Sequence, residues 1–421
     1  MSMNTLAVDF GTSNSAAATA EGNEVRRLAI ESHAETLPTA VFFPVDGGQM
    51  QIGTRASHAL TGGEAGRYMR ALKTVLGLPV FHEKHLLGGR RRTLAEVVTA
   101  FLAEVKHRAE AAKGTTFGRV LSGRPVHFHS TDPAKDVQAE ADLRACYEAA
   151  GFEQVAFLAE PEAAAFAVHG IGGAQGLGLV VDIGGGTSDF SVFSVDAGSP
   201  RILASHGARL GGTDFDRLVS LSHVMPALGL GGRLRAEFGT QLLPVPRAPY
   251  VDLSTWAKIP FLYTAETRRR VARMVRVAER PETIRRLAAA IELELGHDIA
   301  FAVERGKISA NGGEEDATKA TEVRLDFIEP GLSAPVSSAS LDAALTDQRH
   351  ALRQAAAETL TLADISPGQV GRVVLVGGSS LMRLVTQEML TLCPGAGILH
   401  SEAFTAVVDG LARASMKHRA D

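Results

Sequence analysis

A glycine-rich stretch at residues 179–193 most constrains the fold of this chain. It reads Leu-Val-Val-Asp-Ile-Gly-Gly-Gly-Thr-Ser-Asp-Phe-Ser-Val-Phe, with an apolar run on each side of three glycines. Because β-branched and aromatic residues favour strands, the pattern predicts a β-hairpin. Consecutive glycines let backbone N–H groups approach phosphate oxygens closely. Asp182, Thr187 and Asp189 add oxygen ligands of the kind that hold a hydrated magnesium ion beside phosphates.

The same design occurs a second time near the start of the chain. Residues 6–17 read Leu-Ala-Val-Asp-Phe-Gly-Thr-Ser-Asn-Ser-Ala-Ala, so an apolar strand again ends at an aspartate, Asp9, before Gly11, Thr12 and Ser13. One Gly-Thr turn alone favours a plain hairpin over a phosphate site. Two copies predict a duplicated α/β fold that binds a nucleotide between its halves.

Length and composition agree with a chain of two to three domains. The 421 residues are 45% hydrophobic, which is ample for sizeable cores. A formal charge of −4 gives no overall attraction to nucleic acid or to an anionic membrane. Cys146 and Cys393 imply no disulfide framework, and no membrane-spanning run or signal-peptide pattern is present. We therefore expect a cytoplasmic protein without membrane contact.

Two stretches with mainly helical patterns look like insertions, one at about residues 48–118 and one at about residues 226–335. The first lies within a predicted first lobe of residues 1–170, and the second lies within a second lobe of residues 171–421. Lys73 lies in the first insertion, where a lone lysine on a helix is usually solvated. The second contains an arginine cluster at residues 266–276, for which a solvated helix face is preferred over a partner surface. No aromatic residues interleave there, as single-stranded nucleic acid would require.

Other candidate residues have ordinary structural interpretations beside the functional ones. His127 and His129 alternate along a predicted strand at residues 119–129, whose Pro125 implies an edge or irregular position. The spacing suits a metal, but without a third ligand we favour packing and hydrogen bonding. Glu160 stands at a strand-to-helix corner, where it either complements the helix dipole or faces a cleft.

Two more glycine pairs precede predicted helices. Gly211 and Gly212 open one helix, as either a good cap or an anion site. Gly377, Gly378 and Ser379 end a buried strand, where a ligand can approach closely. Glu304 and Lys307 lie three residues apart on a helix, which predicts a surface ion pair. Residues 341–363 are predicted to form one long helix and residues 403–417 the last.

These motifs, in this order, resemble the nucleotide-binding domain of the DnaK-type heat-shock seventy chaperones, within the actin-like ATPase superfamily. The YegD-type proteins, which stop after this domain, are the most similar branch. Residues 8–15 and 182–189 match the two phosphate motifs, residues 160–165 the first connecting motif, and residues 376–380 the adenosine motif. Residues 211–216 match the family's GGEDFD element. The resemblance covers nearly the whole chain and implies two lobes with a nucleotide cleft between them.

The resemblance implies ATP or ADP and Mg²⁺ as cofactors, and Pro125 as a relay of the nucleotide state. It assigns catalytic roles to Lys73, Glu160, Asp182 and Thr187, and magnesium, mostly through water, to Asp9, Asp182 and Asp189. It places nucleotide contacts at Gly11, Thr12, Ser13, Gly184, Gly185, Gly186, Thr187, Gly211, Gly212, Glu304, Lys307, Gly377, Gly378 and Ser379. Hydrolysis would then consist of positioning and charge neutralisation.

Two departures from the family pattern bear on function. Ile308 and Leu381 stand where the chaperones place two arginines against adenine, a loss of about 1–3 kcal/mol unless Arg305 or Arg383 replaces them. The chain also ends where the chaperones continue into a linker and a peptide-gripping β-sandwich. The expected function is a slowly hydrolysing, ATP-dependent switch read by a protein partner or client. An actin-like filament or scaffold and a small-molecule kinase are the alternatives, and nucleic acid is not an expected partner.

Overall fold

A computed structural model describes residues 4–22, 24–32, 34–129, 131–168, 176–196, 199–236, 240–312, 321–400 and 405–417. The chain forms two compact units. The first comprises Met1–Gly212 with Arg349–Asp421, and the second comprises Thr213–Gln348. Each is described by itself below, and the lobe boundary near residue 170 stays a prediction.

The strands form two main sheets and several small ones. The described residues form β1 (Thr5–Phe10), β2 (Asn14–Glu21), β3 (Glu24–Leu28), β4 (Thr36–Pro38), β5 (Ala40–Pro44), β6 (Gln51–Ile52), β7 (Gly66–Arg70), β8 (His85–Leu87), β9 (Arg90–Arg92), β10 (Arg119–Arg124), β11 (Gln154–Ala159), β12 (Gly176–Ile183), β13 (Ser188–Asp196), β14 (Ser199–Ala208), β15 (Arg233–Arg235), β16 (Leu242–Pro244), β17 (Thr321–Arg324), β18 (Ser333–Val336), β19 (Arg372–Val376) and β20 (Gly397–His400).

The helices of the described residues are mostly short. They are α1 (Thr54–Thr61), α2 (Leu94–Lys113), α3 (Pro133–Ala149), α4 (Glu160–Val168), α5 (Gly212–Val219), α6 (Met225–Ala227), α7 (Ala248–Leu253), α8 (Ile259–Leu262), α9 (Ala265–Val277), α10 (Pro281–Glu292), α11 (Gly296–Asn311), α12 (Ser338–Ala344), α13 (Thr346–Leu362), α14 (Arg383–Leu392) and α15 (Ala406–Lys417). Among them, none has the length and apolar character needed to cross a membrane.

Two sheets of the first unit repeat one design. Their strand orders are β3-β2-β1-β10-β11 and β14-β13-β12-β19-β20. In each sheet the central strand, β1 or β12, pairs antiparallel with the next strand of the chain and parallel with the strand on its other side. The hairpins β1–β2 and β12–β13 are the two predicted glycine hairpins. The duplicated α/β fold is therefore confirmed.

The two sheets share one apolar core. Ala7 and Leu121 of the first sheet and Val180 and Val374 of the second belong to the same buried cluster, together with the alanines of α4 and the apolar face of α15. The small alanine side chains of α4 allow close packing against α15. A Cβ atom on Gly410 of α15 would lie 1.7 Å from the carbonyl oxygen of Ala163, so only glycine permits this approach.

The strand predicted at residues 119–129 is shorter, and of the two positions predicted from Pro125 the edge position is wrong. β10 ends at Arg124 and lies inside its sheet, between β1 and β11. Pro125 follows the strand, since its missing N–H cannot join the ladder. His127 and His129 therefore do not share a strand face. Its neighbour β11 is a half-exposed strand at the edge of the sheet.

Two helical predictions also need correction. The long helix predicted at residues 341–363 is two helices, because Leu345 leaves the helical path and buries its side chain fully. The hydroxyl of Thr346 donates to the carbonyl oxygens of Asp342 and Ala343, which satisfies the end of α12. The first insertion is mainly helical but not entirely so, since residues 66–70 form β7 beside β5. Residues 403 and 404 of the predicted last helix lie outside the described residues.

The second unit is mostly helical, with two small two-stranded sheets, β15–β16 and β17–β18. Its arginine-rich helix α9 begins at the N-cap Thr264, whose side chain accepts a hydrogen bond from the backbone N–H of Thr267. Val271 and Met274 are the buried residues of α9. The arginines of this helix lie on its outer face, as an amphipathic helix requires.

Candidate nucleotide site

The two glycine turns of the first unit lie against each other. The backbone N–H of Gly184 donates to the carbonyl oxygen of Thr187 over 2.9 Å, which closes the second turn. A Cβ atom on Gly185 would lie 2.7 Å from Oγ of Ser13 and 3.0 Å from Cβ of Thr12. A side chain at this position would force Ser13 and Thr12 to move. The structure thus brings the predicted phosphate residues of both motifs together.

The Gly211-Gly212 pair packs directly behind the second turn. A Cβ atom on Gly211 would lie 2.5 Å from the backbone nitrogen of Gly186. The backbone N–H of Gly212 donates to the carbonyl oxygen of Gly184 over 3.0 Å. Because both contacts involve backbone atoms, this pair fixes the shape of the phosphate turn.

The predicted adenosine turn is attached to the same strand end. Gly377 has a φ of +82°, and a Cβ atom there would lie 2.4 Å from the carbonyl oxygen of Ile183. Gly378 begins the 3₁₀ helix Gly378–Leu381. A Cβ atom on Gly212 would lie 2.2 Å from Oγ of Ser379. The turn at residues 377–379 is therefore close to the Gly211-Gly212 pair.

Lys73 and Glu160 form a buried ion pair beside the turns. Lys73 lies on the 3₁₀ helix Leu72–Val75, and Glu160 is the first residue of α4. Nζ of Lys73 lies 2.5 Å from Oε1 of Glu160, and each residue is 8% exposed. Burial alone lowers the pKa of Lys73, but the carboxylates of Glu160 and Asp9 more than offset this and raise it. The ammonium group therefore stays charged.

The three predicted metal-holding aspartates lie around this pair, with Asp182 and Asp189 buried and Asp9 half-buried. Asp182 and Asp189 are opposite each other on β12 and β13. Burial, reinforced by the charge of Glu160, raises the pKa of Asp9 to about 7 and that of Asp189 to about 8. The same causes, with the charges of Asp189 and Asp9, raise the pKa of Asp182 well above its usual value. Four carboxyl groups thus share one lysine.

This donor set fits a hydrated magnesium ion. Excess buried negative charge favours a cation, and Mg²⁺ usually keeps several waters between itself and protein carboxylates. Over the described ranges, no three His, Cys, Asp or Glu side chains are placed to ligate a metal ion directly. Any ion held by Asp9, Asp182 and Asp189 would therefore be held largely through its waters.

A small cavity of about 20 Å³ lies next to Lys73. This is room for one water molecule. The residues that line it are Thr12, Lys73, Thr74, Pro125, Phe128, His129, Gly186, Thr187 and Arg209. Four of these, Thr12, Lys73, Gly186 and Thr187, were predicted site residues, and Pro125 was the predicted relay. Thr74, Phe128 and Arg209 were not singled out.

His129 and Arg209 hold the turn that carries Lys73. Nε2 of His129 lies 2.8 Å from the carbonyl oxygen of Leu76, and its Nδ1 lies 2.8 Å from a guanidinium nitrogen of Arg209. Since a guanidinium only donates, Nδ1 accepts and Nε2 carries the proton. Arg209 also donates to the carbonyl oxygen of Thr74 over 3.3 Å. The hydrogen-bonding interpretation of His129 is confirmed; His127 is bonded to Asp136 at 3.1 Å.

Glu304 and Lys307 lie on α11 in the second unit. The expected surface ion pair is wrong for Lys307, because this residue is only 6% exposed and its Nζ lies 2.7 Å from Oδ1 of Asp216. Nε1–H of Trp256 donates to the other oxygen of Asp216 over 3.2 Å. Asp216 was not predicted as the partner of Lys307, although it belongs to the motif of residues 211–216 that resembles the family's GGEDFD element. Ile308, on the same helix, is 61% exposed.

Comparisons with known proteins agree with this fold. A family model described as "Hsp70 protein" matches residues 83–227. The chaperone protein HscA homolog of Pseudoalteromonas atlantica is 30% identical over 259 residues, which cover 56% of this chain and 40% of that protein. The HscA homolog of Rickettsia bellii is 27% identical over 225 residues, covering 51% and 36%. The chain thus spans well under half the length of these curated relatives.

The paired sheets with their glycine hairpins define a fold of the actin-like ATPase superfamily. Within it, the chain contains an Hsp70-type nucleotide-binding domain. The finer resemblance to the YegD-type branch and the cytoplasmic location stay predictions.

Proposed function

We propose that this chain binds ATP or ADP with Mg²⁺ between its two glycine turns and hydrolyses ATP slowly as a chaperone-like conformational switch. The observation that carries the proposal is the buried cluster of Lys73, Glu160, Asp9, Asp182 and Asp189 beside those turns. Such a cluster costs folding free energy, and groups perturbed in this way are concentrated at functional sites. The Hsp70-type domain and the chaperone relatives support ATP as that ligand.

Each group of residues at the site would have its own role in phosphoryl transfer. Backbone N–H groups of the glycine turns and the hydroxyls of Thr12 and Thr187 would bind phosphate oxygens. Charged Lys73, oriented by Glu160, would stabilise the negative charge on the transferring phosphoryl group and position the attacking water. Magnesium, when bound by Asp9, Asp182 and Asp189 through its waters, would neutralise charge on the phosphates.

Contact between the two turns couples nucleotide binding to movement. Thr12 and Ser13 touch Gly185, and the neighbouring cavity holds about one water. A triphosphate is much larger than this cavity, and in this proposal the turns separate to admit it. Each turn is continuous with its own sheet, and a change at the turns would therefore move the sheets. A protein partner or client would respond to that movement.

Phosphate release by the wild-type chain and by Lys73→Ala tests the proposal. We expect slow, magnesium-dependent release from ATP without any added acceptor, and a loss of roughly 10²- to 10³-fold in Lys73→Ala. Lys135→Ala removes an exposed lysine and should keep the wild-type rate. Lys73→Met keeps the length of the side chain, and thermal unfolding shows whether each variant is folded. Equal rates for folded Lys73→Ala and wild type would refute the assigned role, and release only with an added hydroxyl acceptor would indicate a kinase.

A further inference from the structure

The second unit has a groove lined by both arginine and aliphatic side chains. The groove has a volume of about 520 Å³ and lies between α9 and the β15–β16 hairpin. Its lining residues are Leu234, Pro246, Arg270, Arg273, Met274, Arg276 and Val277. Volumes of this size are typical of ligand and peptide pockets.

The groove is held in shape by backbone bonds. The backbone N–H of Glu279, just after α9, donates to the carbonyl oxygen of Arg233 over 2.9 Å. Leu234 forms an isolated antiparallel bridge with Ala278. The end of α9 is thus fixed to β15, and the apolar floor between the two elements is preformed.

Three exposed arginines line the rim. Among the described residues, Arg270, Arg273 and Arg276 have no side-chain hydrogen bond or ion pair. Other arginines of the same unit do have partners: Arg268 pairs with Glu294, and Arg286 pairs with Glu329. Since an unpaired guanidinium keeps all its donors available, the rim is suited to binding carboxylates.

An apolar strip continues the floor of the groove outward. Leu234 is opposite Leu243 in the β15–β16 hairpin, and Leu243 is 44% exposed. A partner that fits both features needs carboxylates for the rim and aliphatic side chains for the floor and strip.

We infer that this groove binds an acidic peptide segment of a partner protein that also carries aliphatic side chains. Charge complementarity selects the acidic partner in a chain whose formal charge is −4. Nucleic acid would also seek arginines, but the lining is aliphatic, without the aromatic rings on which bases stack. The inference goes beyond nucleotide binding and does not depend on it.

Binding of the full-length chain to synthetic peptides of graded glutamate and leucine content, without nucleotide, tests the inference. We expect fluorescence anisotropy to show binding that rises with glutamate content, needs leucine and weakens with salt. Arg270→Glu/Arg273→Glu/Arg276→Glu should bind about tenfold more weakly, because three small ion-pair contributions are lost together. Leu243→Ser should weaken binding without changing the salt dependence.

The matched control reverses three exposed arginines of the first unit, in Arg55→Glu/Arg90→Glu/Arg91→Glu, and should bind like the wild type. Circular dichroism shows that each variant is folded. Three results would overturn the inference: equal binding by the groove variant and the control, equal binding of peptides with lysine in place of glutamate, or displacement of the acidic peptide by oligothymidylate. The last would mark the groove as a nucleic-acid site.

Discussion

Lys73 shows how strongly one residue can depend on its surroundings. Alone in the sequence it is an ordinary helical lysine, and its expected position is solvent. In the folded chain it is 8% exposed and bonded to Glu160, eighty-seven positions away. The resemblance selected both residues. Their pairing could not be derived from local pattern, because it depends on how the first insertion packs against α4.

Asp9 provides a prediction about pH. Its pKa is raised by burial from 3.8 to about 7, so between these values the unfolded chain loses a proton that the folded chain keeps. The unfolded state then binds fewer protons, and the free energy of unfolding falls as the pH rises, by about 1.4 kcal/mol per pH unit for one such group. We expect this contribution to be present at low pH and lost by about pH 7 in chelator-treated protein.

Urea unfolding at a series of pH values checks the effect of Asp9. Asp9→Asn cannot ionise and should show a shallower fall in stability between about pH 4 and pH 7. Asp364→Asn, at an exposed position, should keep the wild-type slope. The same slope in Asp9→Asn and in the wild type would contradict the assigned environment of Asp9.

At the scale of elements, glycine contacts decide how the turns meet. The hairpins could be predicted from the sequence, because an apolar run, an aspartate and a glycine turn are local signals. The break at Leu345 could not, since it comes from burying one leucine against the rest of the unit. The hydrogen bonds of His129 to Leu76 and Arg209 could not be predicted either, because they join segments that are distant in the chain.

Gly211→Ala tests whether the close contact of Gly211 with the second phosphate turn shapes the nucleotide site. The new methyl group would lie 2.5 Å from the backbone nitrogen of Gly186, and backbone cannot yield as a flexible side chain would. We expect a loss of about 1–3 kcal/mol in stability and weaker ATP binding. Gly368→Ala places a methyl group in open space and should change stability by less than about 0.5 kcal/mol. Equal ATP affinity in both variants would show that the Gly211 contact does not shape the site.

At the scale of the whole molecule, the duplication in the sequence predicted the two equivalent sheets and the meeting of their glycine turns. The repeated order of strands confirms that prediction. The contact between Lys307 and Asp216 in the second unit lies outside what the duplication predicts, because that unit has no counterpart in the repeat. The groove beside α9 was likewise not predicted. An arginine-rich helix exposed to solvent and one that lines a groove have the same sequence pattern.

The most direct test of the central claim is isothermal titration calorimetry of the full chain with ATP and with ADP, in magnesium and in chelator. The account predicts saturable binding of both nucleotides with a dissociation constant of roughly micromolar order. It also predicts a marked loss of ATP affinity in chelator, because Asp9, Asp182 and Asp189 would then repel the phosphates. Absence of binding by either nucleotide in magnesium would contradict the proposed function and identify the cleft as vestigial.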